Sequence, residues 1–232
     1  MNMEIKQQEA EIKKIEQLAK DAKSITLEVK DTKIFSFTPG QFVMVAREDN
    51  PKVRRAFSIA SAQSKNTFEL CIREFPDGGL STTLCKSREK DRLLIDGPYG
   101  NFTLRETEAD LILIAAGTGI APIRSMLQSV KDTNKKIWLL YRFKDLSDYL
   151  YKNELEKIAR ENKNIQVIAS TNKNGSEWTG ETERIQNFFA KYITDINNKE
   201  VYICGPPDMV RDTIKYLEEF GFSKEQLHKE MW

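Results

Sequence analysis

The sequence predicts two domains: an antiparallel β-barrel over residues 1–106, then an α/β domain over 107–232 with a parallel sheet and helices on both faces. Three observations predict it. The first half is a series of short alternating segments separated by turn signals. The second half replaces alternation with near-continuous apolar runs, each followed by a helical pattern. The totals, 232 residues with 40% hydrophobic and 31% charged side chains, suit two compact cores.

In the first half, Ile25, Leu27 and Val29 alternate with polar residues, as do Phe68, Leu70 and Ile72. "QFVMVA" and "RLLIDG" are two more short runs, and "TPGQ", "EDNPK", "PDGG" and "DGPYGN" are the turns between them. Such spacing fits a small barrel or sandwich. One stretch is ambiguous: Ile12, Ile15 and Leu18 recur every three residues, a helical spacing inside a β half. From Asp110 onward, "LILIAA", "KIWLLYR", "NIQVIAS" and "VYICG" read as strands buried on both faces. "PIRSMLQSVKD", "LSDYLYKNELEKIAREN", "TERIQNFFAKYI" and "PDMVRDTIKYLEEFG" read as the helices between or after them.

Charge and composition narrow the function. With 36 basic and 35 acidic residues the net charge is +1, which supplies no field for nucleic acid or an anionic membrane. The longest apolar run, from Leu111, is too short and too interrupted by Gly and Pro to cross a bilayer. The first residues lack the apolar stretch of a signal peptide, so a cytoplasmic location is expected. Cys71, Cys85 and Cys204 are far apart and His228 is the single histidine, so neither a metal centre nor an iron–sulfur cluster is expected.

Five stretches carry residues suited to chemistry. "AAGTGIAP" follows a strand and opens a helix; Gly117 and Gly119 permit a tight turn, and helix N–H groups face a phosphate. Pro122 stands where a dinucleotide fingerprint has its third glycine, so this is a different kind of phosphate loop. "RAFSIAS" sets Arg55 and Phe57 on one strand face and Ser58 on the other. "PDGGLSTTL" has two glycines, then Ser81 and Thr82, as at a helix start. "GPYGNF", Gly97 to Phe102, reads as a compact turn. "CGPPDM" ends a buried strand, on the side of a parallel sheet where ligands bind. The chain closes on "HKEMW", and its final aromatic either plugs a core or lies against something flat.

In this order, with an acid and an aromatic at the tail, the motifs resemble the ferredoxin–NADP reductase superfamily from about residue 8 to Trp232. The resemblance implies a flavin-binding barrel joined to a nicotinamide-binding domain. Arg55 would meet the flavin phosphate, Ala56 and Phe57 the ring, and Ser58 its N5. Gly79, Leu80, Ser81 and Thr82 would clamp the pyrophosphate, which favours FAD over FMN. Gly117, Thr118 and Gly119 would face the dinucleotide, and Cys204, Gly205 and Pro206 its nicotinamide end. Glu230 and Trp232 match the family's terminal acid and aromatic, Trp232 stacking on the flavin as a movable gate.

The implied reaction is hydride transfer from NADH or NADPH to FAD, followed by single-electron transfer to a separate protein: a ferredoxin, a flavodoxin or an oxygenase component. Ser58, Cys204 and Glu230 are the residues placed at the reacting atoms. Asp148 matches an acid near the ribose in NADH-using relatives. Thr171, Asn172 and Lys173 replace a Ser/Thr–Arg pair found in NADPH-using ones, with Arg142 a substitute cation. The balance leans to NADH. The alternative is an electron-transfer subunit of a larger redox complex, inactive alone.

Overall fold

The computed structural model describes residues 7–30, 35–75, 78–172 and 178–231. They form two compact units, one of Met1–Leu104 with Arg124–Ser129, the other of Arg105–Ile123 with Val130–Trp232.

The first unit is a six-stranded antiparallel sheet. Its strands are β1 (Gln8–Ala19), β2 (Ala22–Val29), β3 (Phe42–Arg47), β4 (Asn50–Ser58), β5 (Thr67–Arg73) and β6 (Arg92–Tyr99), in the order β4-β3-β6-β1-β2-β5. The sheet curls until its two edges meet: Ile59, just past β4, bridges Leu70, and Ala60 N–H donates to the Glu69 carbonyl at 2.7 Å. Alternation then sends Ile25, Leu27, Val29, Val43, Val45, Phe68, Leu70 and Ile72 into one core. A short helix, α1 (Leu80–Cys85), buries Leu80, Leu84 and Cys85 against it.

The ambiguous stretch at residues 8–20 is strand β1, and a bulge explains its spacing. Ile12 pairs with Leu27 and Ile15 with Ile25, so three residues of β1 oppose two of β2. The extra residue returns Ile15 to the core face that Ile12 occupies, where it packs against the core. The stretch from Gly97 to Phe102 also differs from the expected compact turn. Pro98 and Tyr99 still belong to β6, and a register shift separates the Met44–Asp96 pair from the Phe42–Tyr99 pair. The chain leaves the sheet at Gly100.

The second unit is a parallel sheet of β7 (Asp110–Ala116), β8 (Ile137–Phe143), β9 (Ile165–Thr171), β10 (Lys199–Gly205) and β11 (Leu227–Met231), in the order β11-β10-β7-β8-β9. The helices are α2 (Ile120–Val130), α3 (Lys152–Glu161), α4 (Ile185–Tyr192) and α5 (Pro207–Phe220). The chain builds outward from β7 to β9, then returns to the other side of β7 with β10. Right-handed crossovers therefore put α2 and α3 on one face and α4 and α5 on the other. Phe188 and Phe189 of α4 share a core with Val210 and Leu217 of α5 and with Ile112, Ile114 and Ile203 of the sheet.

Two features of this unit depart from expectation. Only Lys152–Glu161 of the long segment from Leu146 is α-helix. Before it, Leu146–Asp148 form a single 3-10 turn in which the Asp145 carboxylate accepts the Ser147 N–H, a local bond that competes with helix. Tyr151, left-handed at φ 57°, then sets the new direction. The tail, which carries no strand signal, is the second: β11 pairs in parallel with β10 from Val201–Leu227 to Gly205–Met231. His228 packs here, its ring on that of Tyr202 and its Nε2 against Glu200. Among the described residues no helix is long and apolar enough to cross a membrane.

Phe68 is almost fully buried and stacks on Phe35 with ring centroids 5.0 Å apart. Phe68→Ala is expected to cost about 3–5 kcal/mol of stability, read as a lower urea midpoint at unchanged slope.

Candidate functional site

In the first unit the residues of interest meet where β4 passes α1. β4 is the edge strand of the sheet order, and β3 fixes its register: Arg55 opposite Val45, Phe57 opposite Val43, Ser58 opposite Phe42. Alternation separates the side chains accordingly. Phe57 is half-buried against the barrel core. Ser58 lies on the other face, in a row that continues through Phe42 to Tyr99. The Phe42 and Tyr99 rings are 5.9 Å apart, and the Tyr99 hydroxyl donates to Asp96 Oδ1 at 2.6 Å. Ala56 is exposed on β4.

Arg55 leaves the strand toward α1. Its Nη1 donates to Ser81 Oγ at 2.8 Å, and the guanidinium lies 5.8 Å from the centre of the Phe75 ring. Among the described residues no carboxylate pairs with it. Two stretches 26 residues apart are thus joined by a cation and a hydroxyl. Beside them Gly78 and Gly79 have φ of 80° and 89°, a backbone form that glycine alone adopts without strain. A methyl built on either would meet no atom within 4 Å, so the main chain there is open on that side. No side chain caps α1, and its first turn holds no acid. Thr82 Oγ1 is turned away, donating to the Phe75 carbonyl at 3.0 Å. A guanidinium with no carboxylate partner among the described residues, beside open backbone, is an arrangement that receives an anion.

The same place shows residues that sequence reasoning passed over. A cleft of about 420 Å³ runs between the β3–β4 hairpin and α1, lined by Arg47, Asp49, Asn50, Val53, Gly79, Leu80 and Thr83. "EDNPK" reads only as a turn; its closeness to Gly79 depends on hairpin register, which no local signal carries.

In the second unit, two loops meet at the carboxyl ends of β7 and β10, the neighbours between which the strand order reverses. Gly117, Thr118 and Gly119 form a 3-10 turn into α2, with Gly117 at φ 55° and the Tyr141 hydroxyl donating to its carbonyl at 3.0 Å. Pro122 falls in the first turn of α2, where its missing N–H costs nothing. Gly119 needs its missing side chain for space: a methyl there would sit 2.3 Å from the Cys204 carbonyl oxygen. Gly205 is less constrained: a methyl there would sit 2.5 Å from the end of the flexible Met209 side chain. Pro206 follows and caps α5. Cys204 is fully buried and is the register partner of Glu230 on β11, so the two residues of this unit expected at the reacting atoms are strand neighbours.

Arg142 and Asp148 lie farther along the sheet. Arg142, next to the last residue of β8, donates to Ser170 Oγ at 2.8 Å, and also to Asn172 Oδ1 and the Glu183 carbonyl. Burial, and then the nearby Arg184 cation, hold its pKa below the usual arginine value. Asp148 is half-buried in the 3-10 turn after β8. Lys173 and Trp232 lie outside the described residues. Of the cysteines, Cys85 has its thiol pushed up to about 11 by burial, so it is no nucleophile at neutral pH.

Gly119→Ala is a steric test, because φ there is −58° and only space forbids the methyl. It is expected to lose about 1–3 kcal/mol in thermal or urea unfolding. Gly78→Ala has open space but the wrong φ, and should lose about 1–2 kcal/mol.

Comparison with known proteins agrees with this division of labour. Residues 9–104 match the family model described as an oxidoreductase FAD-binding domain, and residues 113–215 match the oxidoreductase NAD-binding domain. The gamma subunit of sulfhydrogenase 1 from Pyrococcus furiosus is 35% identical over 201 residues, covering 83% of this chain and 67% of that protein. One subunit of the Na(+)-translocating NADH-quinone reductase of Pseudomonas aeruginosa is 31% identical over 194 residues; the match takes in 75% of this chain and only 47% of that longer relative. The ferredoxin reductase in carbazole 1,9a-dioxygenase superposes with a TM-score of 0.87 at 25% identity, over all of this chain and 70% of that one. The open backbone and the Arg55 guanidinium held by Ser81 beside α1 fit the phosphates of FAD, and the glycine loops of the parallel sheet fit a nicotinamide dinucleotide. The chain belongs to the ferredoxin–NADP reductase superfamily of FAD- and nicotinamide-dependent oxidoreductases.

Proposed function

We propose that this chain is an NADH-dependent flavoprotein reductase that passes electrons to a separate redox protein, a ferredoxin, a flavodoxin or an oxygenase component. Residues 1–106 would hold the flavin and 107–232 the coenzyme. FAD, when bound, supplies the redox chemistry, taking a hydride from the nicotinamide and giving electrons onward singly. The protein's part is binding and orientation. Arg55 holds the phosphate charge; Gly79, Leu80, Ser81 and Thr82 clamp the pyrophosphate with main-chain groups. The cleft beside them has room for a larger group, in keeping with FAD over FMN. Ala56 and Phe57 border the ring, and Ser58 Oγ faces N5.

Gly117, Thr118 and Gly119 receive the dinucleotide phosphates, while Cys204, Gly205 and Pro206 border the nicotinamide. Holding two rings together supplies most of the rate, so no strong general base is required. Glu230 would balance charge and protons during electron transfer. Arg142 bears on the lean to NADH: three of its five N–H donors already serve Ser170, Asn172 and the Glu183 carbonyl, so it is partly committed before any added phosphate arrives. Asp148 would meet the ribose hydroxyls instead.

The observation that carries the proposal is the Arg55–Ser81 bond beside the open glycines. Arg55→Ala is expected to weaken FAD binding about 10–100-fold, the worth of a charged hydrogen bond, in a fluorescence titration of the flavin-free protein. An unchanged affinity would remove Arg55 from the site. Stopped-flow reduction with the two coenzymes in parallel should favour NADH about tenfold or more in rate over Kd; equal values would refute the preference.

A second reading has a specific observation behind it. Two of the relatives above are named as subunits, and the chain spans about half the length of one of them. The chain would then be the flavin- and nicotinamide-binding subunit of a larger redox complex. Purified protein that bleaches with NADH yet reduces a dye only when a partner is added would favour that reading.

A further inference from the structure

The stretch that follows Ser58 is held unusually firmly. Ile59 N–H donates to the Gln41 carbonyl at 2.9 Å and Ala60 N–H to the Glu69 carbonyl at 2.7 Å, while Ser61 Oγ accepts the Glu69 N–H at 3.1 Å. These bonds tie it to the barrel. Its remaining polar groups are met by Arg124, Ser125 and Gln128 of α2, all within the first unit. Arg124 Nη1 donates to the Ala60 carbonyl at 2.6 Å, Ser125 Oγ to the Ser61 carbonyl at 2.6 Å, and the Ala62 N–H to Gln128 Oε1 at 2.8 Å.

Arg124 is the costly member of this set. It is only 5% exposed, and a guanidinium is buried favourably only when its bonds are well made. Its Nη1 also donates to Glu69 Oε2 at 3.0 Å, an oxygen that accepts the Ser24 hydroxyl at 3.1 Å. The neighbouring positions Ile123, Met126 and Leu127 are apolar and fully buried, so packing alone called for another apolar residue here. What the guanidinium adds is direction: it fixes one carbonyl and one carboxylate at once, two residues past Ser58.

We infer that Arg124 is a positioning residue for Ser58, with Ser125 as its second anchor. Resting on the reading that Ser58 Oγ faces the flavin, the clamp holds the backbone behind that hydroxyl. Misplacement of a contacting group by about 1 Å costs on the order of a hundredfold in rate, so a loosened anchor is felt at the reacting atoms.

The test uses Arg124→Lys, which keeps the charge but loses the planar fork, and Ser125→Ala, which removes one bond and is the milder change to folding. In flavin-free protein, amide hydrogen exchange over residues 59–62 should quicken about tenfold in both, with exchange elsewhere in the barrel unchanged. With FAD saturating, the limiting rate of reduction by NADH should fall about tenfold while KM for NADH stays within twofold. Faster exchange with an unchanged limiting rate would make Arg124 merely structural, and unchanged exchange would overturn the clamp outright. Ser58→Ala separates this from the reading beneath it. If Ser58→Ala leaves the rate untouched, the role of Ser58 fails; if it slows reduction and Arg124→Lys does not, the positioning role fails alone.

Discussion

No side chain fits between Gly119 and the Cys204 carbonyl, and the second unit is organised by that contact. In a parallel sheet every loop at the carboxyl edge diverges to the face its helix will cover. Where the strand order reverses, two adjacent strands send their loops to opposite faces and a crevice opens. Here β7 and β10 are those strands, and their loops converge at main-chain distance because Gly119 carries no Cβ. Cys204 lies close to that contact, and Glu230 of β11 is its register partner.

The barrel solves a different problem. Its sheet must close on itself while leaving the outer part of one strand exposed. The bridge from Ile59 to Leu70 closes it, and β4 keeps an exposed outer stretch from Asn50 to Ala56. Arg55 can therefore reach Ser81 of α1, and among the described residues no carboxylate pairs with it. The segment just past the bridge bears both demands, and both its barrel side and its α2 side supply hydrogen bonds. Arg124 belongs to that economy: a buried charge tolerated for the geometry it imposes.

The candidate site was legible in the sequence as a set of short local motifs. "RAFS", "GGLSTTL", "GTGIAP" and "CGPP" each name a local conformation that glycine, proline and hydroxyl residues set by themselves. What remained hidden is what joins them. Nothing in the spacing of Arg55 and Ser81 announces a hydrogen bond, and nothing in "PIRSML" distinguishes Arg124 from a solvent-facing arginine on an amphipathic helix. The hairpin cleft at Arg47 to Val53 is of the same kind, since it needs the register of β3 and β4 as well as the approach of α1.

The sequence by itself determined the two architectures, most of the strands and helices, and the glycine-bearing loops, because alternation, apolar runs and φ preferences act within a few residues. Only the tertiary structure decided that residues 8–19 are a bulged strand, that the tail adds β11, and that a buried arginine braces the chain behind Ser58. A bulge reproduces a helical spacing, an edge strand such as β11 shows little alternation, and a buried guanidinium looks like any other until its partners fold around it. Each depends on a neighbour far away in the chain, and distance along the chain is what local pattern cannot see.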